Sequence, residues 1–314
     1  MKAVLHYRAT PGFRAAISAL ESGWLRIAVV DETDRTMFAR EMQDADVLLH
    51  VLERATRSVI DSAPLLKLIQ KFGVGVDTID LDAARERGVA VCNMPGANTR
   101  AVAELTLLLV LATLRGLSDL DRRTRAGNGW ALDAVRVDNL SELGGRTVGL
   151  VGYGAVAKCL TPMLHGIGAN VIYTSRREET GNAAKFVPLA ELLQTADVVS
   201  LHVPLTSDNS GMIDERAIAS MKPDAVLVNT ARGGLVDYDA LYRALSTGRL
   251  RGAGLDVFES EPATAGHPLF HLPNVVVTPH VAWLTTQTIS RGLGVFAENC
   301  RRLRDGEALL NRVI

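Results

Sequence analysis

At 314 residues the chain is long enough for two domains of ordinary size or one large one. Its 34 Lys+Arg balance 35 Asp+Glu, so no global field favours nucleic acid or an anionic membrane, and neither is expected as a partner. Cys92, Cys159 and Cys300 fall in no metal-ligand or CxxC spacing and no signal peptide opens the chain; this predicts free thiols, no metal and a cytoplasmic location.

In chain order, short β-branched runs alternate with helical patterns, which predicts parallel sheets wound on both faces. Over residues 1–97 the strand candidates are AVLHY, IAVVD, DVLLHV, LKLIQKF and VAVCNMP. Pro95-Gly96 breaks the pattern, and one long helix is expected from about Asn98 to Arg125. Its apolar run, Leu105 to Leu114, is about half a membrane span and reads as a buried helix. A second set follows: TVGLVGYG, NVIYTSR, DVVSLHVP, AVLVNTAR, RGAGLDVF and NVVVTPH, six strands as in a dinucleotide-binding sheet. The remaining residues carry a helical pattern and the tail LLNRVI, which would return to the first domain. The expected fold is therefore α/β with two doubly wound parallel-sheet domains. Residues 98–283 form a Rossmann-type nucleotide domain inserted into a flavodoxin-like domain of 1–97 and 284–314. The two crossings would form a hinge that closes on cofactor binding.

Val148 to Val151 runs straight into Gly152-Tyr153-Gly154-Ala155-Val156-Ala157 and then a helical pattern. This is the GxGxxA fingerprint in its strand–turn–helix context, where the second glycine lets backbone approach a pyrophosphate at a helix N-terminus. The following strand should end in Asp or Glu to hold a ribose 2′-hydroxyl, and it ends in Ser175-Arg176-Arg177 instead. Guanidinium groups suit a 2′-phosphate, so NADP(H) is expected over NAD(H).

Oxidation of a secondary alcohol needs a base, a group that tunes it, and a cation for the carboxylate and carbonyl. Strand ends supply candidates: Arg232 after AVLVNTA, with Gly233-Gly234 leaving backbone free to approach a ligand; Glu259, Glu261 and Asp256 around GLDVF; and His280 after NVVVTP.

With these motifs the chain resembles the D-isomer-specific 2-hydroxyacid dehydrogenases. The resemblance rests on KFGVGVDTIDLDAARERGVAVCNMPGANTRAVAE at 71–104, LVGYGAVA, HVPLT at 202–206, VNTARGGLVDYDAL, LDVFESEP and TPHVAW. It implies Arg232 on the substrate carboxylate and carbonyl, His280 as general acid/base, and Glu261 rather than Glu259 as its partner. It also implies backbone amides of Val74 and Gly75 on the substrate carboxylate and Asp256 on the nicotinamide carboxamide. Val203, Pro204, Thr206, Thr230 and Ala231 would line the cofactor, and His202 stays structural. Trp283 would cap a small substrate pocket or pack at the hinge. The implied activity is reduction of a small 2-keto acid of glyoxylate or hydroxypyruvate type. Arg54, Arg57 and Lys71 keep a D-3-phosphoglycerate dehydrogenase in view, without its regulatory domain. A nucleotide-sensing corepressor is the alternative of another class, and phosphite or formate oxidation a second enzymatic one. The apolar helix near 98–125 predicts a homodimer.

Overall fold

The computed structural model describes residues 1–179, 181 and 183–314. The chain divides into two compact units, residues Met1–Asn98 with Leu284–Ile314, and Thr99–Trp283.

Unit 1 holds β1 (Lys2–His6), β2 (Arg26–Val30), β3 (Val47–His50), β4 (Leu68–Lys71) and β5 (Ala90–Cys92). They form one parallel sheet in the order β2-β1-β3-β4-β5, the flavodoxin-like order. Central strands are buried on both faces, so β3 (VLLH) and β4 (LIQK) show no alternation of burial, and β4 buries Gln70 and Lys71 along with its apolar residues. The helix Thr286–Asp305 belongs to this unit. Beyond it the tail lies antiparallel along β5, with the Val313 amide donating to the Val91 carbonyl, and so covers a sheet edge. Asn299, on that helix, donates to buried Gln70 at 2.7 Å and ties the helix to β4.

Unit 2 holds β6 (Thr147–Val151), β7 (Asn170–Thr174), β8 (Lys185–Phe186), β9 (Val198–Leu201), β10 (Val226–Asn229), β11 (Gly252–Leu255) and β12 (Val275–Val277). Its parallel sheet runs β12-β11-β10-β9-β6-β7-β8, a Rossmann order extended by one edge strand. The six strands read from sequence are all present. The seventh, two-residue β8, carries no periodicity long enough to be read.

The expected single helix is two, Thr99–Leu114 and Leu117–Arg125, bent by 65°. Gly116 sits between them at φ +57°, a left-handed conformation that ends the first helix. The first helix packs on β10 and β11, and a Cβ on Gly254 would meet the Leu109 Cβ at 2.9 Å. Most of its leucines are thus consumed inside unit 2, leaving Leu108 exposed, as is Leu117 at the start of the second helix. No single helix among the described residues is long and apolar enough to cross a membrane.

Candidate active site

The strand order of the unit 2 sheet reverses between β6 and β9, where a crevice for ligand is expected at the carboxyl edge. Gly152 leaves β6 at φ +96°, and a Cβ there would lie 2.6 Å from the His202 carbonyl oxygen, so only glycine lets the two loops meet. Gly154 caps the helix Ala155–Gly166 without a side-chain hydrogen bond, and the space where its Cβ would stand is open. The first-turn amides of Ala155 and Val156 face that space as an anion cradle, which fits a dinucleotide pyrophosphate. Tyr153 is turned inward, stacked on Tyr173 at 3.9 Å and bonded to Thr161, so it offers the loop only main chain. Ala157 is fully buried, as its packing role requires.

Beyond β7, Ser175 is half-buried and Arg176 and Arg177 are exposed, with no ion pair of either arginine among the described residues. The Tyr173 hydroxyl holds this turn from below, accepting from the Glu179 amide at 3.0 Å and donating to its carbonyl. Glu179 itself pairs with Lys158. On β9 the His202 ring bonds Ser200 at 2.9 Å, and burial pushes its imidazole down to about 4. Asn209 ties the Val203–Thr206 loop, accepting from the Thr206 amide and donating to the Pro204 carbonyl.

After β10, Asn229 folds the next turn, its side chain accepting from the Ala231 amide and donating to the Arg232 carbonyl at 2.8 Å. Thr230 is bonded to Thr106 at 2.8 Å. The two glycines after Arg232 serve packing rather than ligand approach: a Cβ on Gly233 would fall 2.0 Å from the Phe258 backbone, and one on Gly234 would strike Leu205. Arg232 is half-buried, donates to the Ala231 carbonyl at 2.7 Å, and lies close enough for its charge to act on Glu261.

His280 and Glu261 meet. His280 Nδ1 lies 2.6 Å from Glu261 Oε2, while Glu261 Oε1 accepts from the Phe258 amide at 2.9 Å. Burial pushes the Glu261 carboxyl up, but the hydrogen bond and charge of His280, the Phe258 amide and Arg232 outweigh it and hold it below the usual range. Glu259 pairs with His267 instead, at 3.2 Å.

Asp256 has no exposed surface. Its carboxylate accepts from the Thr278 hydroxyl and from the amides of Val281 and Ala282, the latter two at 2.9 Å. Its carbonyl also accepts from the His280 amide at 2.7 Å. These bonds clamp the histidine loop, in which His280 sits at φ +54°, an uncommon conformation for a side chain other than glycine. Desolvation raises the Asp256 carboxyl against the pull of those donors. Through these bonds Asp256 positions the histidine loop. Trp283, at the end of the same loop, is buried.

In unit 1, Val74 and Gly75 lie in the loop that follows β4. Asn93 holds that loop by donating to the Val74 carbonyl at 2.9 Å, and the Met94 amide donates to Gly73. Of the three cations considered for a phosphate, Arg57 is paired with Glu86 at 2.6 Å, and Lys71 is buried with its ammonium on the Val51 carbonyl. Arg54 is exposed, with no ion pair among the described residues. Asn93, Asn229, Asn209 and Tyr173 were not legible as site residues, since each acts by fixing a loop and no motif marks it.

Residues 107–282 match the family model described as "D-isomer specific 2-hydroxyacid dehydrogenase, NAD binding domain". The chain belongs to the D-isomer-specific 2-hydroxyacid dehydrogenases. It is 39% identical over 295 residues to a glyoxylate reductase of Thermococcus onnurineus, covering 90% of this chain and 88% of that protein. It is also 39% identical over 285 residues to a D-3-phosphoglycerate dehydrogenase of Mycobacterium leprae, covering 88% of this chain but 53% of the longer one. A crystal structure of a Thermus thermophilus protein superposes over the full length of both chains with a TM-score of 0.90 at 36% identity. As a member of this dehydrogenase family the chain is an oxidoreductase, and its unit 2 is the nucleotide-binding domain.

Proposed function

We propose that the protein reduces a small 2-keto acid of glyoxylate or hydroxypyruvate type to the D-2-hydroxy acid, with His280 as general acid/base and NADP(H) as cofactor. The observation that carries this is the His280–Glu261 contact of 2.6 Å on a loop clamped by Asp256, with the charge of Arg232 alongside. Because Nδ1 is taken by Glu261, Nε2 is the nitrogen that gives a proton to the carbonyl oxygen in reduction and takes it back in oxidation. Glu261 keeps the His280 ring oriented. Arg232 binds the substrate carboxylate and polarises the carbonyl, and the amides of Val74 and Gly75 hold the carboxylate's other oxygen. The bound nicotinamide would supply or accept the hydride.

The cofactor reading rests on Ser175, Arg176 and Arg177 standing where an acid would hold a ribose 2′-hydroxyl. The backbone cradle of Gly152 to Val156 would take the pyrophosphate, with Val203, Pro204, Thr206, Thr230 and Ala231 along the nucleotide and Trp283 behind the histidine loop. A homodimer is proposed from the exposed Leu108, Leu117 and Trp130, the last 93% exposed. Free thiols at all three cysteines support a cytoplasmic setting.

The deciding experiment measures kcat/KM for glyoxylate, hydroxypyruvate and 3-phosphohydroxypyruvate with NADPH and NADH side by side. Turnover of the first two with NADPH preferred supports the reading. Preference for the phosphorylated acid makes the protein a phosphoglycerate dehydrogenase. Nucleotide binding without turnover of any 2-keto acid makes it a sensor.

A further inference from the structure

In the loop that leaves β4, two successive peptide planes are held facing one way. A trans peptide points its carbonyl and the following amide in opposite directions. The cis peptide bond among the described residues, Glu261–Pro262, lies outside this loop. The Gly73 carbonyl therefore shares a plane with the Val74 amide, and the Val74 carbonyl with the Gly75 amide. A group that grips those two carbonyls also aims those two N–H groups.

Both carbonyls are gripped by the residues that follow β5. The Met94 amide donates to Gly73 at 2.8 Å, and Asn93 Nδ2 donates to Val74 at 2.9 Å. Gly73 makes the turn at φ +148°, a conformation that side chains rarely adopt. The Val74 and Gly75 amides then point away from that segment, and neither has an acceptor among the described residues. Neighbouring N–H groups aimed together make a concave anion site, here of a size for a carboxylate.

Asn93 is the grip made by a side chain, and its own backbone is pinned on two sides. Its amide donates to the Asn311 carbonyl at 3.2 Å, and its carbonyl accepts from Gln70 Nε2 at 3.4 Å. Gln70 also donates to the Lys71 and Cys92 carbonyls, both at 3.3 Å, and so stitches β4 to β5 where the two strands leave the sheet. Its Oε1 accepts from Asn299, which in turn accepts from the Leu310 amide at 2.7 Å and donates to the Leu310 carbonyl. Gln70 and Asn299 have no exposed surface. Apolar side chains would pack helix on sheet without desolvating two amides; a fully paired amide network adds direction. Strands, helix and tail thus converge on the position of one asparagine.

We infer that Asn93 is a positioning residue for substrate binding: by holding the Val74 carbonyl it keeps the Gly75 amide, beside the Val74 amide, on the substrate carboxylate. The inference rests on the role proposed above for those two amides. Without Asn93 the Val74–Gly75 plane is free to rotate, which withdraws an N–H donor and turns a carbonyl oxygen toward the carboxylate.

The test is steady-state reduction of glyoxylate by NADPH, with competitive inhibition by oxalate, in the wild type, Asn93→Ala and Asn93→Asp. The aspartate keeps the size of the side chain but offers only acceptors. Asn93→Ala should raise KM for glyoxylate and the inhibition constant of oxalate by about tenfold, and Asn93→Asp at least as much. kcat should change less than KM, and KM for NADPH should stay within about twofold, because the nucleotide cradle belongs to unit 2. Asn93 is partly exposed, so the melting temperature of either variant should stay within a few degrees of the parent's. Wild-type KM and oxalate inhibition in Asn93→Ala overturn the inference. Wild-type behaviour of Asn93→Asp does the same, since a side chain without a donor would then suffice. A loss confined to melting temperature, or failure of both variants to fold, makes Asn93 structural and also overturns it. Wild-type turnover with unmoved variants sinks this inference alone; no turnover of any 2-keto acid sinks the function reading with it.

Discussion

His50, buried at the end of β3, makes the stability of unit 1 depend on acid in a way that can be worked out beforehand. Its imidazole titrates at about 3 in the fold against an ordinary 6.5, chiefly through burial. Between those values the unfolded chain binds a proton that the folded chain does not, so stability falls as pH drops through 6.5 and keeps falling until about 3. At pH 5 the unfolded side has gained about 1.5 pH units of protonation free energy, or about 2 kcal/mol at 1.36 kcal/mol per unit. His50→Leu abolishes this contribution. The assay is amide hydrogen exchange of the β1 and β3 peptides, comparing wild type and variant at pH 8 and again at pH 5. Comparison at one pH cancels intrinsic exchange rates, and following these peptides avoids treating a two-unit chain as a single transition. Protection of the variant over the parent should widen by about 2 kcal/mol from pH 8 to pH 5. An equal gap at both pH values would refute a buried neutral imidazole at this position.

Replacing His280 by Ala should lower kcat for reduction by about 10²–10⁴-fold while nucleotide affinity, read by fluorescence titration, stays close to the parent's. Glu261→Gln should loosen the hold on the His280 ring and lower kcat for reduction by about tenfold or more with KM for the keto acid little changed; an unchanged kcat would separate Glu261 from the acid. Arg176→Ala combined with Arg177→Ala should raise KM for NADPH by about tenfold or more and leave KM for NADH nearly unchanged. Gly233→Ala should destabilise unit 2 by several kcal/mol in urea unfolding, since its Cβ would meet the Phe258 backbone at 2.0 Å.

Legibility followed the length scale of each feature. Strands such as TVGLV are nearly continuous apolar runs because parallel sheets bury both faces, so eleven of the twelve strands among the described residues could be read while two-residue β8 could not. The break at Gly116 was hidden because a single glycine in an otherwise apolar helical pattern reads as tolerated until its φ of +57° is seen. The same limit explains the glycines after Arg232, whose need is set by Phe258 and Leu205, residues distant in sequence.

Asp256 shows what a motif does and does not carry. Position at a strand end marked it for the site, and the structure adds what the motif does not show, that its carboxylate accepts from Thr278, Val281 and Ala282. A loop that must hold His280 at φ +54° needs such a clamp, because relaxation would swing Nδ1 away from Glu261. The acid in the strand, the threonine before the histidine and the two amides after it therefore act as one unit, and a substitution at Asp256 should be felt first in the geometry of the His280–Glu261 pair.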